Sequence, residues 1–420
     1  MQRAIGRMLA WIGTAVLFAI VALCLVITVV PPFLDQVYYT GPAQPNFDGE
    51  RFVNPDADQG QWPQFRIRSG GNPAAFMLRY LLRSDGRPEW PEQVPVTPTR
   101  PPARIDGDAM LMTWVGHSTV LIQTQGVNIL TDPVWSERAS PFGWIGPKRV
   151  TAPGVAFEDL PRVDLVVISH NHYDHFDIAT LQKLYARDRP LIVTGLGNDT
   201  ILNADGIKAE ARNWGASVAL NDRVRVHVER VHHWASRWGV DRNRALWVGF
   251  TIVTPGGNIF YTGDTGPGDM AWALTAAERG PVRLALIAAG AFRFMAGQDW
   301  SGSHIGPYHA VEIFRQTKAS YALPVHWGTF RLSWEGYDDA PRLVGVHMAC
   351  AGYDPAGRSR FTRGVIGRQV EIPPYSPPSP VRAGYVAGQS CPGEAIATRA
   401  LALRHAPSPQ PGRAAAAPAR

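Results

Sequence analysis

Cysteine is scarce in this 420-residue chain: there are three, Cys24, Cys350 and Cys391, and none belongs to a C-x-x-C pair. A disulfide framework and a cysteine-built zinc site are both excluded. Three free thiols are expected, with a Cys350–Cys391 bridge as the alternative if the domain faces an oxidising compartment. Charge is sparse as well, at 18% of residues, and the net +6 is carried by the ends. Arg3 and Arg7 precede a long apolar run, and five arginines oppose one glutamate after residue 375, which leaves the body neutral. No Lys/Arg stripe is interleaved with aromatics, so nucleic acid is excluded as a partner. Neither G-x-G-x-x-G nor a Walker A run occurs. Gly116-His117-Ser118-Thr119-Val120 lacks the closing glycine of a nucleophile elbow. Nucleotide folds and serine hydrolases therefore lose their usual signatures.

Hydrophobic residues, at 45%, are ample for a large core. Met8 to Val30 carries no charge over 23 residues. At ~1.5 Å per residue such a helix crosses a ~30 Å hydrocarbon layer. The arginines before it, against Pro31, Pro32 and Asp35 after it, place the N-terminus in the cytoplasm and the rest outside. The run is longer than a signal-peptide core and no small-x-small site follows, so a single-pass, uncleaved anchor is expected, with a periplasmic or extracytoplasmic domain. The expected organisation is an anchor at 1–34, an N-terminal extension at 35–102, a main domain at 103–372 and a disordered Pro-rich tail at 373–420. Within the extension, Ala74 to Arg83 reads as a helix that packs on the core or lies at a lipid surface.

Alternating or continuous apolar runs predict strands over Met110–Trp114, Thr119–Gln123, Val127–Thr131, Val163–Ser169, Leu191–Thr194, Val224–Val231, Trp247–Val253, Asn258–Thr262 and Leu284–Ala288. Helices are predicted over Ile178–Tyr185, Met270–Arg279 and His309–Gln316. Strands spaced by helices imply an α/β fold of two sheets covered by helices.

The stretch Ser169-His170-Asn171-His172-Tyr173-Asp174-His175 follows a buried-type strand. Alternate residues 170 and 172 project imidazoles to one side, while Asp174 and His175, past a turn, face a second position. Imidazoles with one carboxylate suit Zn²⁺ best, with Fe or Mn possible. Four residues in one loop cannot close two sites. His233, Asp264 and His326, each after an apolar β-run, are candidates for the remaining ligands. Asp132 is expected to accept a hydrogen bond from a ligand imidazole or to close a turn. His117 and His227 read as structural, with His117 a possible outer-shell residue, and His309, His347 and His405 as solvated. Lys148 and Arg149 are candidates for holding a phosphate, with surface solvation as the alternative.

These motifs, with Thr131-Asp132-Pro133, Arg138-Ala139-Ser140-Pro141, Gly146-Pro147-Lys148-Arg149, Gly263-Asp264-Thr265-Gly266 and His326-Trp327-Gly328-Thr329-Phe330, resemble the metallo-β-lactamase superfamily. Within it they resemble the branch of N-acyl phosphatidylethanolamine-hydrolysing phospholipase D. The resemblance implies an αββα sandwich with two Zn²⁺ ions at one edge. One ion would take His170, His172 and His233, the other Asp174, His175 and His326, with Asp264 bridging. It further implies that Tyr173 and His304 contact substrate and that Asp174 and His304 serve catalysis. The implied activity is phosphodiester hydrolysis of a membrane phospholipid. The rival readings are a lactonase or phosphodiesterase acting on a small soluble substrate, and a non-catalytic membrane-tethered lipid- or metal-binding protein.

Overall fold

The computed structural model describes residues 2–55, 87–294 and 300–376. Strict alternation sorts the side chains of the first sheet between two hydrophobic layers. In β1 (Met110–Gly116), β2 (Thr119–Thr124), β3 (Val127–Thr131), β4 (Leu165–Ile168) and β5 (Leu191–Gly195), the inward set includes Met112, Trp114, Ile122, Ile129, Val167 and Val193. The outward set, Leu121, Leu130, Val166, Ile168 and Ile192, is covered by Leu181 and Leu184 of α2 (Ile178–Asp188) and Leu202 of α3 (Asn198–Ala204). The short β6 (Glu210–Arg212) closes one edge of this sheet and β13 (Gln369–Glu371) the other, in the order β13-β1-β2-β3-β4-β5-β6.

The second sheet has the order β12-β11-β10-β9-β8-β7. Its strands are β7 (Ser217–Ala219), β8 (Arg225–Glu229), β9 (Gly249–Val253), β10 (Asn258–Tyr261), β11 (Val282–Ala288) and β12 (Tyr321–Val325). Every residue of β11 is buried, as expected of a strand covered on both faces. The helices α4 (Trp272–Glu278), α5 (Pro307–Gln316) and α6 (Asp339–Cys350) join its cluster through Ala276, Phe314 and Met348. A one-turn helix, α7 (Pro355–Arg358), follows. The mixed α/β sandwich expected from the sequence is present. The elements not anticipated include the short pieces β6, β7, β13, α3 and α7, in which too few residues repeat for a period to be visible, and the twelve-residue α6.

Strand direction determines where function collects. β3, β4 and β5 are mutually parallel, as are β10, β11 and β12, while β1 and β8 reach the same direction through paired antiparallel steps. Consequently the chain segments after β1, β3, β4, β8, β10 and β12 all leave at one edge of the sandwich, the usual place for ligands in such sheets.

The amino-terminal α1 (Gln2–Leu34) continues through Pro31 and Pro32, beyond the apolar run itself. Ile5–Leu34 is the one helix among the described residues long and apolar enough to cross a membrane, and none of its apolar window is buried. The chain after it does not stand apart from the domain. Phe47 and Phe52, assigned by the sequence to a separate extension, are fully buried in the main cluster, packed on each other at 4.7 Å between ring centroids. The first residues of the expected tail are also tied down: Arg283 Nε donates to Pro373 O at 2.8 Å and Ser376 N to Ser320 Oγ at 2.8 Å. The rest of that tail and the helix expected at 74–83 lie outside the described residues. Cys350 is disulfide-bonded, which corrects the expectation of three free thiols; Cys24 is free, and Cys391 lies outside the described residues.

Truncating Phe47 or Phe52 to Ala should destabilise the whole sandwich by about 3–5 kcal/mol, since each leaves a cavity in its core. Urea unfolding of the full chain in detergent micelles checks this, and a loss under 1 kcal/mol would place the segment outside the cooperative unit.

Candidate metal centre

β4 ends at Ile168, and the chain then turns tightly: His175 N and Phe176 N both donate to His172 O, at 3.1 and 2.9 Å. This turn lets His170 and His172 face one position while Asp174 and His175 face another. Immediately afterwards Asp177 caps α2 by accepting from Thr180 N. The other segments at the same edge add His117 after β1, Asp132 after β3, His233 after β8, Asp264 after β10 and His326 after β12, and His304 enters from the loop before α5.

Two compact groups of donor atoms result, linked by a third made of Asp264, His304 and His326. His170, His172, His233 and Asp264 form one, and His117, Asp174, His175 and His326 the other, each with its donor atoms within 4.8 Å of one another. In the first, His172 Nδ1 lies 2.8 Å from His170 Nε2 and 3.5 Å from His233 Nε2. In the second, Asp174 Oδ2 lies 3.0, 3.1 and 3.3 Å from Nε2 of His117, His326 and His175. A single oxygen sits between them: Asp264 Oδ2 is 3.0 Å from His326 Nε2, 3.2 Å from His175 Nε2, and 3.9 Å from both His170 Nε2 and His233 Nε2. The geometry thus brings together all seven residues the sequence nominated and adds His117, for which the sequence leaves open both a structural role and support of a ligand. Its signal was the Gly-His-Ser-Thr turn, but nothing local distinguishes an imidazole on a tight turn from one in a core.

The outer partners fix which nitrogen each imidazole presents. Asp132, fully buried, accepts from Ser169 N at 2.7 Å, Ser169 Oγ at 2.5 Å, His175 Nδ1 at 2.6 Å and the Tyr261 hydroxyl. Because Ser169 gives its proton to Asp132, its oxygen accepts from His170 Nδ1 at 2.9 Å. His233 Nδ1 donates to Ser303 O at 2.8 Å. Nδ1 of His170, His175 and His233 is thus taken up by an outer partner, and Nε2 is the nitrogen each turns inward, the arrangement that metal-binding histidines require.

Local backbone cost accompanies this convergence. His117, Asp132 and His326 have φ of 53°, 30° and 67°, left-handed values that strain non-glycine residues by about 1–3 kcal/mol each. Neighbouring glycines make room. A Cβ on Gly263, beside Asp264, would meet Ser169 Cβ at 2.5 Å, and one on Gly290 would meet His326 O at 2.0 Å.

Electrostatics follow the same division. Burial, reinforced by neighbouring imidazoles, holds His170 well below the ordinary range. Burial likewise pulls His117 and His172 to about 3 and His304 to about 4, and holds His233 well below its ordinary range. His175 and His326 also feel burial, yet the carboxylates of Asp264 and Asp174 outweigh it and raise His175 well above the ordinary value and His326 to about 9. Both carboxylates are held well below their usual range, because these imidazoles offset the penalty of burial. The structure supports a cation here on its own terms. Three imidazole nitrogens converge, with His172 Nδ1 2.8 and 3.5 Å from Nε2 of His170 and His233, and Asp264 Oδ1, His172 Nε2 and His175 Nε2 are buried without a hydrogen-bond partner.

The substrate candidates separate. His304 reaches the centre, with Nδ1 3.8 Å from Asp264 Oδ2 and its ring 5.1 Å from that of His233. Tyr173 instead lies under the Arg237 guanidinium, 3.6 Å from the ring centroid, on the wall of an adjoining cavity. Arg149 is not free to hold a phosphate: Nε and Nη2 donate to Ser136 O and Val134 O, and burial pushes it down to about 10. Lys148 pairs with Glu137 at 2.8 Å. His309 and His347, expected in solvent, are buried on α5 and α6, whose inner faces pack together. His405 lies outside the described residues.

The Beta-lactamase superfamily domain matches residues 127–327. An uncharacterized protein of Mycobacterium tuberculosis is 36% identical over 236 residues, 55% of this chain and 62% of the relative, so the chain spans less than two thirds of its length. N-acyl-phosphatidylethanolamine-hydrolyzing phospholipase D 1 of Caenorhabditis elegans is 31% identical over 322 residues, 71% of this chain and 86% of the relative. Among solved structures, isothiocyanate hydrolase from Delia radicum gut bacteria superposes with a TM-score of 0.50 at 17% identity, over 63% of this chain and 99% of its own. That last likeness concerns the fold.

The titrations predict how the metal-free protein responds to acid. His117, His170, His172, His227, His233, His304 and His309 are lowered, so the stability they contribute is present above their ordinary value of 6.5 and is lost as pH falls below it. His175 and His326 act oppositely, contributing below 6.5 and losing that contribution as pH rises toward about 9. Seven histidines outweigh two, so the urea midpoint of chelator-treated full chain should be lower at pH 5 than at pH 7, at about 1.4 kcal/mol per pH unit for each net proton taken up. An equal or higher midpoint at pH 5 contradicts the assignment.

Proposed function

We propose, for a chain that belongs to the N-acyl-phosphatidylethanolamine-hydrolysing phospholipase D branch of the beta-lactamase superfamily, that this centre hydrolyses a phosphodiester of a membrane phospholipid. The observation that carries the reading is the pair of donor groups sharing Asp264 Oδ2. One group, His170, His172 and His233, would hold one divalent ion, and Asp174, His175 and His326 the second, with Asp264 common to both. The nitrogen-rich donor set favours Zn²⁺. Two such ions supply Lewis acidity that activates water near neutral pH and polarises a phosphoryl oxygen.

The chain's own residues do the rest. Asp132 and Ser169 keep His170 and His175 in the tautomers that present Nε2, so no reorganisation is needed when substrate arrives. His117, 3.0 Å from Asp174 Oδ2, steadies that carboxylate against rotation. His304, neutral at physiological pH because of its burial, would donate a hydrogen bond to a phosphoryl oxygen and so orient the scissile bond. Attack on phosphorus at the head-group ester releases phosphatidic acid and, from an N-acyl phosphatidylethanolamine, an N-acyl amino alcohol. The exposed apolar α1 supports placement at a membrane, and Arg3 and Arg7 favour a cytoplasmic N-terminus.

Purified, chelator-free protein should contain close to two zinc ions per chain by elemental analysis, and less than about 0.2 would sink the reading. Products from an N-acyl phosphatidylethanolamine should be phosphatidic acid and the amide alcohol; a soluble ester or lactone turned over in its place would favour the rival hydrolase. Asp264→Asn should lower hydrolysis more than ~100-fold, beyond the loss typical of an outer-shell residue, and remove at least one metal. A reporter at the C-terminus should be active only outside the cytoplasm.

A further inference from the structure

Among the described residues after α1, five of the nine exposed large apolar side chains lie in the two segments that border the cavity adjoining the centre. Between Glu137 and Arg149 the chain forms a loop with a fixed base. Ala139 N donates to Pro147 O at 3.0 Å, Arg149 N to Glu137 O at 2.9 Å, and Arg138 Nη1 to Gly146 O at 2.7 Å. Ala139 itself is buried against Val134 and Phe330. At the tip of this fixed base stand Phe142, Trp144 and Ile145, all exposed, Trp144 at 76%. A rigid support that holds three large apolar groups in water gains nothing for folding and marks an interaction site.

The loop borders an open cavity of about 460 Å³ whose far wall includes Tyr173 of the histidine turn and Arg237. Next to Arg237, Trp238 and Val240 are exposed as well. The segment that carries them is clamped to the end of α1. Tyr38 donates to Asp241 at 2.9 Å, and Asp241 accepts from Arg237 N and Trp238 N. Asp35, the residue after α1, pairs with Arg244 and Arg51, both at 2.8 Å. The exit of the apolar helix and one rim of the cavity thus belong to one hydrogen-bonded unit.

We infer that Phe142, Trp144 and Ile145 on one rim, with Trp238 and Val240 on the other, dock into the bilayer leaflet from which α1 emerges, so that the cavity beside the centre opens onto lipid headgroups. The occupant is a lipid surface. Indole rings favour the headgroup boundary, α1 already brings that boundary to Asp35, and Arg138 at the rim suits lipid phosphates. The consequence for catalysis rests on the phospholipid hydrolysis proposed above: lipid would reach the centre by sliding from the leaflet into the cavity without crossing water.

The test uses the full chain in phospholipid nanodiscs, in a Cys24→Ala background. A spin label at Trp144→Cys should be shielded from an aqueous nickel relaxant and reached by oxygen. A label at Arg223→Cys, on the turn before β8 and so at the opposite end of the strands, should be water-accessible. Equal access of the nickel reagent to both positions overturns docking, whatever the enzyme does. In parallel, Phe142→Ser with Trp144→Ser should slow hydrolysis of nanodisc phospholipid roughly tenfold or more while leaving bis(p-nitrophenyl) phosphate turnover unchanged. Equal slowing of both substrates also overturns it. If the unaltered chain hydrolyses neither substrate, the functional reading fails while the depth of the label still decides the docking.

Discussion

The buried carboxylate of Asp132 is the constraint on which the rest of the centre depends. It stands on the first sheet, after β3, and accepts from Ser169 and His175 beyond β4 and from Tyr261 at the end of β10 in the second sheet. One side chain therefore joins the two halves of the sandwich at the edge where the ligand candidates emerge. A buried carboxylate is costly unless it is hydrogen-bonded, and here four donors reach it, one at Oδ1 and three at Oδ2. Burial together with Asp132 keeps the Tyr261 hydroxyl protonated far above its ordinary range, so it remains a donor throughout the working pH range.

From that node the chemistry is set by geometry. Parallel strands deliver their carboxyl ends to a common edge, and the residues that follow must turn sharply to converge. Left-handed backbone at His117, Asp132 and His326, and glycines with no room for a Cβ beside Asp264 and His326, are the cost of bringing so many polar groups to one place. The surrounding core, with strands buried on both faces, is what allows this cost to be borne.

The segment after α1 belongs to the same structure. Trp234 packs on His172 at 4.1 Å between ring centroids, Arg242 lies over Trp234, and Arg237 Nη1 donates to Asn171 O and Phe176 O on either side of the histidine turn. The loop that holds these residues is also the one gripped by Tyr38 and Asp35. Attachment of the apolar helix and the shape of the histidine turn are thus coupled through a single loop, a mechanical link between location and site.

Much of this was legible along the chain. Period-two alternation marked the principal strands to within a few residues, and His170, His172, Asp174 and His175 were visible because one strand and one turn place all four. His233, Asp264 and His326 could be nominated because each follows an apolar run, which is local information. What the sequence could not convey depends on distance in space between residues remote in the chain. His117 joins Asp174 across 57 positions. Phe47 and Phe52 fill the core from a stretch that reads as polar linker. His309 and His347 are buried by two helices that pack together, Cys350 is bridged, and Tyr173 faces a neighbouring cavity because Arg237 covers its ring. Local periodicity reports which face of an element is apolar, whereas the partner that covers that face, and so the fate of each polar group on it, is decided only when the sheets close.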